Sequence, residues 1–403
     1  MSDREYDLVL FGASGFVGKL VARRLAEART DLRIALAGRS EPRLTAVRDE
    51  LGVGWPVVVA DSGDPAALAD LARSSRVVLS TVGPYARHGL PLVLACARAG
   101  TSYADLTGEA LFVRESIDMS DALARDSGAR IVHACGFDSV PSDLGVNVLA
   151  EQVAADGAGE LTTVLLLVVS AKGGFSGGTV DSLRGQVDAV RADPALARRL
   201  ADPYLLSPDR EAEPDLGPQP DTFLTHRLDD GTWTAPFVMA PFNTRIVRRS
   251  NALLGHAYGR GLRYAEAVRT GRSPLSPIIA GGVAIGSAAA ALGLRTPLVR
   301  PLLDRLLPDP GEGPSEKAQR EGSFRLQLRA ATTSGARYVG TVAAPGDPGY
   351  AATSVMLAQA GLSLAQDDLP DRAGVLTPAV AMGGALTARL RAAGFTLSAQ
   401  AVD

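Results

Sequence analysis

Three glycines, Gly12, Gly15 and Gly18, stand between an apolar run, Leu8-Val-Leu-Phe11, and a stretch whose apolar residues Phe16, Val17, Leu20, Val21 and Leu25 recur at helical spacing. A strand, a tight turn and a helix in this order suit one kind of chemistry. The first glycine permits the turn, the second lets the backbone approach a pyrophosphate, and the third lets the helix lie close to the strand. Free N–H groups at the helix start then receive the phosphates, aided by the helix dipole. The GxxGxxG spacing is a variant of the dinucleotide fingerprint. It predicts a dinucleotide site formed by Gly12, Ser14, Gly15, Phe16, Val17 and Gly18. The alternative is a structural turn with no ligand.

The second apolar run, Ile34–Ala37, ends in Gly38-Arg39-Ser40. An NAD site usually has an acidic residue there for the ribose 2′-hydroxyl. Arg39 offers a guanidinium that can pair with a 2′-phosphate, and Ser40 adds a hydroxyl, so the cofactor expected is NADP(H). The alternative makes Arg39 a surface arginine at a helix start. Asp61 and Ser62, after the third run, would edge the adenine. Thr81, Val82 and Gly83, after the fourth, fall where ligands lie beyond strand carboxyl ends, and Thr107 follows the fifth.

Hydride transfer needs an electrophilic carbon held in a dry pocket, together with a donor for any proton the product gains. Tyr85, Asp138 and Ser139 lie just past strand ends and are the catalytic candidates. Each also has a plain structural reading: Tyr85 as a packing aromatic with a satisfied hydroxyl, and Asp138 as a helix cap or turn residue. His133 reads as a satisfied core histidine and Cys135 as packing. Lys172–Thr179 is glycine-rich and reads either as one wall of the cleft or as a simple turn. Arg245, Arg248, Arg249, Arg260 and Arg263 either meet an acidic carrier, a phosphopantetheine or anionic headgroups, or form a solvated face.

These residues must be positioned by a chain of 403 residues, 46% hydrophobic and 21% charged, with a net charge of −3. That size predicts two domains, and that charge gives no attraction to nucleic acid. Two cysteines, Cys96 and Cys135, and four scattered histidines supply no metal-ligand spacing. The charged N-terminus shows no secretory signal, so a cytoplasmic location is expected. Further apolar runs at 57–60, 77–80, 102–106 and 130–134 alternate with helical patterns, which predicts a doubly wound parallel sheet. The fold class expected is α/β: a Rossmann-type domain over 1–145, a second domain with a mixed sheet over 146–345, and C-terminal helices over 346–403 packing back on the first. Strands are expected at 161–170, 324–330 and 336–343, helices at 347–366 and 376–393, and a loop or lid at 202–221. Leu275–Leu294 carries no charge, and an amphipathic stretch follows to Leu307. Segment 275–307 reads as buried core, as contact with one membrane face, or as a span.

The segments Gly12–Gly18, Thr81–Tyr85, Tyr103–Glu109 and His133–Asp143 together resemble the saccharopine dehydrogenase-like oxidoreductases, in particular the trans-acting enoyl reductases of actinobacterial lipid biosynthesis. Lys172–Gly178, Asn243–Asn251, Gly346–Tyr350 and Gly374–Pro378 extend the resemblance over nearly the whole chain. It implies NADPH-dependent reduction of a carbon–carbon double bond on a lipid or polyketide-derived acyl chain, free or carrier-bound. Relatives acting on saccharopine carry Gly-x-Asp-Pro-Gly-x-x-His. Here Gly136 and Asp138 match, but Ser139 and Val140 replace the Pro and Gly, and Asp143 stands in place of the His. This weighs against an amino-acid dehydrogenase. A non-catalytic NADP-binding scaffold resting on membranes or lipid bodies is the other alternative. A homodimer and peripheral contact with the inner face of the plasma membrane complete the expectations.

Overall fold

Short runs that are apolar on both faces can be buried only in the middle of a sheet, and the first half of the chain uses them that way. The computed structural model describes residues 4–173, 177–222, 225–296 and 315–402. In it β1 (Tyr6–Phe11), β2 (Ile34–Gly38), β3 (Val57–Val59), β4 (Ser75–Ser80), β5 (Ser102–Asp105) and β6 (Arg130–Val132) are parallel, in the order β6-β5-β4-β1-β2-β3. Helices α1 (Phe16–Glu27), α2 (Glu41–Leu51), α3 (Pro65–Ser74), α4 (Tyr85–Ala99) and α5 (Ala110–Ser127) connect them. Asp64 caps α3 by accepting from the N–H groups of Ala66 and Ala67, and left-handed Gly52, Gly100 and Gly128 end α2, α4 and α5.

Helix α6 (Val140–Ala155) leaves the first sheet and is buried along most of its length, because a second sheet packs on it. That sheet comprises β7 (Leu161–Lys172), β8 (His226–Arg227), β9 (Trp233–Pro236), β10 (Arg263–Gly271), β11 (Ser323–Thr332), β12 (Arg337–Pro345) and β14 (Thr396–Val402). Only the β7–β10 pairing is parallel. Helices α7 (Gly177–Ala192), α8 (Ala195–Ala201), α9 (Ala240–Leu253) and α10 (Ser276–Arg295) complete this half.

The C-terminal segment contains the helices expected and two strands that were not. The helix Thr353–Gln366 does pack against α1, β1, β4 and β5. Between it and the helix Pro378–Ala392 runs β13 (Gly374–Leu376), which extends the first sheet beside β6. The last strand, β14, pairs with β12 in the second sheet. The three residues of β13 are too few to show a period, whereas the polar–apolar alternation of β14 is a strand signal that the sequence reading passed over.

Two further expectations are corrected. The five arginines do not form one solvated face, since only Arg260 and Arg263 stay exposed. Arg245, Arg248 and Arg249 are buried on α9. Arg245 donates to the Leu200 carbonyl, Arg248 to that of Pro203, and Arg249 to those of Leu206 and Val375. Arg260 and Arg263 reach the carbonyls of Ala212, Leu216 and Pro218. Asp221 accepts from both Arg245 and Arg248 at 3.0 Å. The loop 202–221 lacks periodic structure as expected, and guanidinium groups satisfy its carbonyls in place of a ladder. Segment 275–296 is not buried core: α10 leaves Leu275, Ile278, Ile279, Ile285 and Leu292 exposed. No described helix is long and apolar enough to cross a membrane. The remainder of that stretch, 297–307, lies outside the described residues.

Candidate functional site

The β1–α1 turn forms as its glycines dictate. Gly12 has φ +87°, and a Cβ there would lie 2.7 Å from Thr81 Oγ1. A Cβ on Gly18 would lie 2.1 Å from the Gly12 carbonyl oxygen, so only glycine lets α1 sit this close to β1. Gly15 is the N-cap of α1. No side chain caps that end, and its first turn has no acid. The N–H groups of α1 are therefore open to an anion. Arg39 and Ser40 follow β2. Ser40 N-caps α2 without using its hydroxyl, and Arg43, one turn on, is exposed beside it. Glycine clearance, an uncapped helix start and two exposed arginines, Arg39 and Arg43, fit NADP(H). Sequence reasoning did not single out Arg43, which the fold leaves exposed in the first turn of α2. Asp61 spends one carboxylate oxygen on the N–H of Gly63 at 2.8 Å, which shapes the turn beside Ser62.

From this turn a cavity of about 420 Å³ opens between the two halves. Of the residues expected at the site, Gly15, Phe16, Val17, Gly18, Thr81, Gly83, Tyr85 and Asp138 line it. Gly12, Ser14, Val82, Arg39, Ser40, Asp61 and Ser62 lie outside its wall, on the turns after β1 to β4. Thr107 and Ser139 are placed elsewhere. Thr107 is buried, its hydroxyl accepting from the N–H of Glu109, and Ser139 is buried with its hydroxyl donated to Asn243 Oδ1 at 3.0 Å. Ser139 thus ties α6 to α9 instead of facing the cavity. Lys172 and Gly173 end β7, residues 174–176 lie outside the described residues, and the wall contributed here is α7, through Asp181, Ser182 and Gln186.

Tyr85 lines the cavity with its ring, but its hydroxyl is occupied. It donates to the Ser80 carbonyl at 3.0 Å and accepts from the N–H of Leu106 at 3.2 Å. Burial holds the phenol well above its usual pKa. Asp138 differs. Its carboxyl lies at the wall beside the bare face of Gly108, and burial raises its pKa to about 6. The turn that presents it starts at Ala134, which has φ +63°. Phe137 donates its N–H to Thr353 Oγ1 at 3.1 Å. His133 is a satisfied core residue, with Nδ1 2.7 Å from Asp105 Oδ2 and Nε2 2.8 Å from Ser116 Oγ.

The opposite wall is apolar: Leu106, Leu200, Val238, Met239, Pro241 and Phe242. Tyr350 joins it from the C-terminal segment, edge-on to Phe16 with ring centroids 5.0 Å apart. Asp347 holds that turn by accepting from the N–H groups of Tyr350 and Ala351. Arg245 is the one cation on the described wall, and its terminal nitrogens are committed to Asp221, Pro241 and Leu200. Such a site can hold an elongated, largely apolar substrate and sets two carboxyls against it, Asp138 and Asp181, of which Asp138 is the one raised by burial.

Comparison with known proteins gives the family. Residues 8–132 match the saccharopine dehydrogenase NADP-binding domain. A trans-acting enoyl reductase of Mycobacterium ulcerans is 50% identical over 99% of this chain and 98% of its own. One from Mycobacterium tuberculosis is 50% identical over 98% of both. Among solved structures, apo saccharopine dehydrogenase (L-Glu forming) from Saccharomyces cerevisiae superposes with a TM-score of 0.54 at 13% identity, covering 98% of this chain and 99% of its own, which shows a shared fold. With an NADP-binding domain at its start and full-length relatives at half identity, the chain belongs to the trans-acting enoyl reductase family of saccharopine dehydrogenase-like oxidoreductases.

Proposed function

We propose that this protein is an NADPH-dependent enoyl reductase that saturates a carbon–carbon double bond on a lipid or polyketide-derived acyl chain, acting in trans to the synthase that makes it. The observation that carries the reading is a single cavity lined both by the open start of α1 and by Leu106, Met239 and Phe242. The cofactor supplies a hydride when bound. The chain's own residues do the rest. Gly12, Ser14, Gly15 and the N–H groups of α1 hold the pyrophosphate, while Arg39, Ser40 and Arg43 select the 2′-phosphate. Phe137, Val238, Met239 and Phe242 exclude water and seat the acyl chain.

Asp138 is the residue to protonate the α-carbon, since burial raises it to about 6 and it lies on the wall of the same cavity as the start of α1. Tyr85 shapes the pocket through its ring. A substrate with several charges, such as an amino-acid adduct, would need a free cation on this wall, and Arg245 is already committed. The partner on this reading is an acyl chain carried by a synthase or an acyl carrier. The test is NADPH consumption with enoyl thioesters of graded length. Turnover that depends on the thioester and prefers NADPH to NADH supports the reading. Tight NADPH binding with no turnover on any enoyl thioester would overturn it.

A further inference from the structure

The Asp138 carboxyl lies half-buried on the cavity wall and makes no hydrogen bond or ion pair among the described residues. Its own side chain therefore does not fix where it points, and the backbone on either side has to. Both neighbours are tied down, each by a different part of the chain. On one side Ser139 donates its hydroxyl to Asn243 Oδ1, and Asn243 donates to Glu266 Oε2 at 2.9 Å. On the other, Phe137 donates its N–H to Thr353 Oγ1 at 3.1 Å, although 216 positions separate the two residues.

Thr353 is itself held for this task. Its hydroxyl proton goes to the Pro348 carbonyl at 2.8 Å, which leaves the oxygen to serve Phe137 as an acceptor. Its methyl faces the bare side of Gly136, where a Cβ would come within 3.3 Å of Thr353 Cγ2. The loop that carries Asp138 thus has little room to shift toward Thr353. Pro348 opens the wide helical turn Pro348–Ala352, which sets Tyr350 edge-on to Phe16 beside the phosphate end of the cavity. Asp347 holds that turn separately, by accepting from the N–H groups of Tyr350 and Ala351. Loss of the Thr353 hydroxyl would therefore free the acid's loop and leave the cofactor side in place.

We propose that Thr353 is a positioning residue for the acid: anchored on the Pro348 carbonyl, its hydroxyl holds the Phe137 N–H and so aims the Asp138 carboxyl into the cavity. A proton donor must come within hydrogen-bond reach of its target, and misplacement by about 1 Å can cost on the order of a hundredfold in rate. The inference deepens the reductase reading and rests on it for the destination of the proton, but the placement of the acid can be tested without turnover. The charged groups on the elements around the loop are Asp181 of α7, Arg245 of α9, Glu109, the Asp105–His133 pair, and Asp347 in the C-terminal turn. The variants below alter none of them, so a change in how Asp138 titrates reports the loop.

The test is an NMR titration of the Asp138 carboxyl in the full chain, its resonance assigned with Asp138→Asn, alongside steady-state kinetics on an enoyl thioester. The wild-type carboxyl is expected to titrate at about 6. Thr353→Val keeps the side chain's shape and removes its hydroxyl. Its Asp138 midpoint is expected to fall toward the ordinary range near about 4, as water reaches the loosened loop. Its kcat is expected to fall about tenfold or more, with KM and NADPH affinity within about twofold of wild type. Thr353→Ser is expected to restore both the midpoint and kcat. Should Thr353→Val misfold, Thr353→Ala, which only removes atoms, carries the same expectations. An Asp138 midpoint that these variants leave unchanged, a Thr353→Ser chain that behaves like Thr353→Val, or a kcat loss matched by an equal loss of NADPH affinity would overturn the proposal. Absence of turnover on any enoyl thioester removes the reductase reading alone, and the midpoint still decides whether Thr353 places the acid.

Discussion

Ser182 of α7 donates its hydroxyl to Glu109 Oε1 at 2.9 Å, and the same carboxylate accepts from the N–H groups of Tyr85 and Ala86 at the start of α4. One acid therefore joins the α7 wall of the cavity to the loop that places Tyr85. It also occupies the N-terminus of α4, which leaves the start of α1 as the phosphate end. Hydrogen bonds to a charged group contribute about 1.5–3 kcal/mol, and less where solvent reaches them. Ser182→Ala is expected to raise KM for the acyl substrate by about three- to tenfold, with NADPH affinity unchanged and Ser182→Thr restoring the wild-type value. Steady-state kinetics check this, and an unaltered KM would show that the wall holds without the bond.

Gly18 gives a stability test tied to the cofactor. A methyl group there would overlap the Gly12 carbonyl oxygen, and backbone must move to admit it. Gly18→Ala is expected to cost about 1–3 kcal/mol and to abolish measurable NADPH binding. Gly54→Ala, where nothing lies within 4 Å of the new Cβ, is the control and should leave both unchanged. Urea unfolding and fluorescence titration read the two effects.

Cofactor choice rests on Arg39 and Arg43. Loss of one charge-assisted contact to the 2′-phosphate should weaken NADPH binding about tenfold, so Arg39→Ala is expected to do so while NADH binding stays the same. Arg39→Ala combined with Arg43→Ala should bring the two cofactors close to equal affinity. Parallel losses for both would mean that the arginines support the turn and do not read the phosphate.

Burial raises Asp138 to about 6, Asp143 to about 7 and Glu266 to about 7. If Asp138 donates a proton, kcat should fall as pH rises through about 6, and Asp138→Asn should remove that limb of the profile. Stability follows the same sign. A carboxyl raised on folding stabilises fully below its unfolded value and loses that contribution as pH rises through its folded value. Melting temperature is therefore expected to decline between about pH 4 and about pH 7. Differential scanning calorimetry across that range checks it, and Glu266→Gln should flatten the slope.

The first sheet was legible because strands buried on both faces must be continuously apolar, as residues 8–11 and 77–79 are. The cofactor turn was legible because its glycines are required one by one. The rest of the pocket was not. Met239 and Phe242, and Tyr350 more than a hundred residues further on, meet the turn only through tertiary packing, and no local spacing marks them. The arginines of α9 show a second limit. Their sequence gives charge but not direction, and here carbonyls of α8 and of the 202–221 loop draw them inward. Tyr85 shows a third, since only coordinates reveal that its hydroxyl is already taken by Ser80 and Leu106.

Isotope tracing tests the central claim most directly. NADPH carrying deuterium at the transferable position is supplied with an enoyl thioester in ordinary water, and the saturated product is read by mass spectrometry and NMR. The account predicts deuterium at the β-carbon, a solvent-derived hydrogen at the α-carbon, and turnover slowed on the order of a hundredfold in Asp138→Asn with NADPH affinity intact. Undiminished turnover in that variant, or a product with no deuterium on the acyl chain, would contradict it.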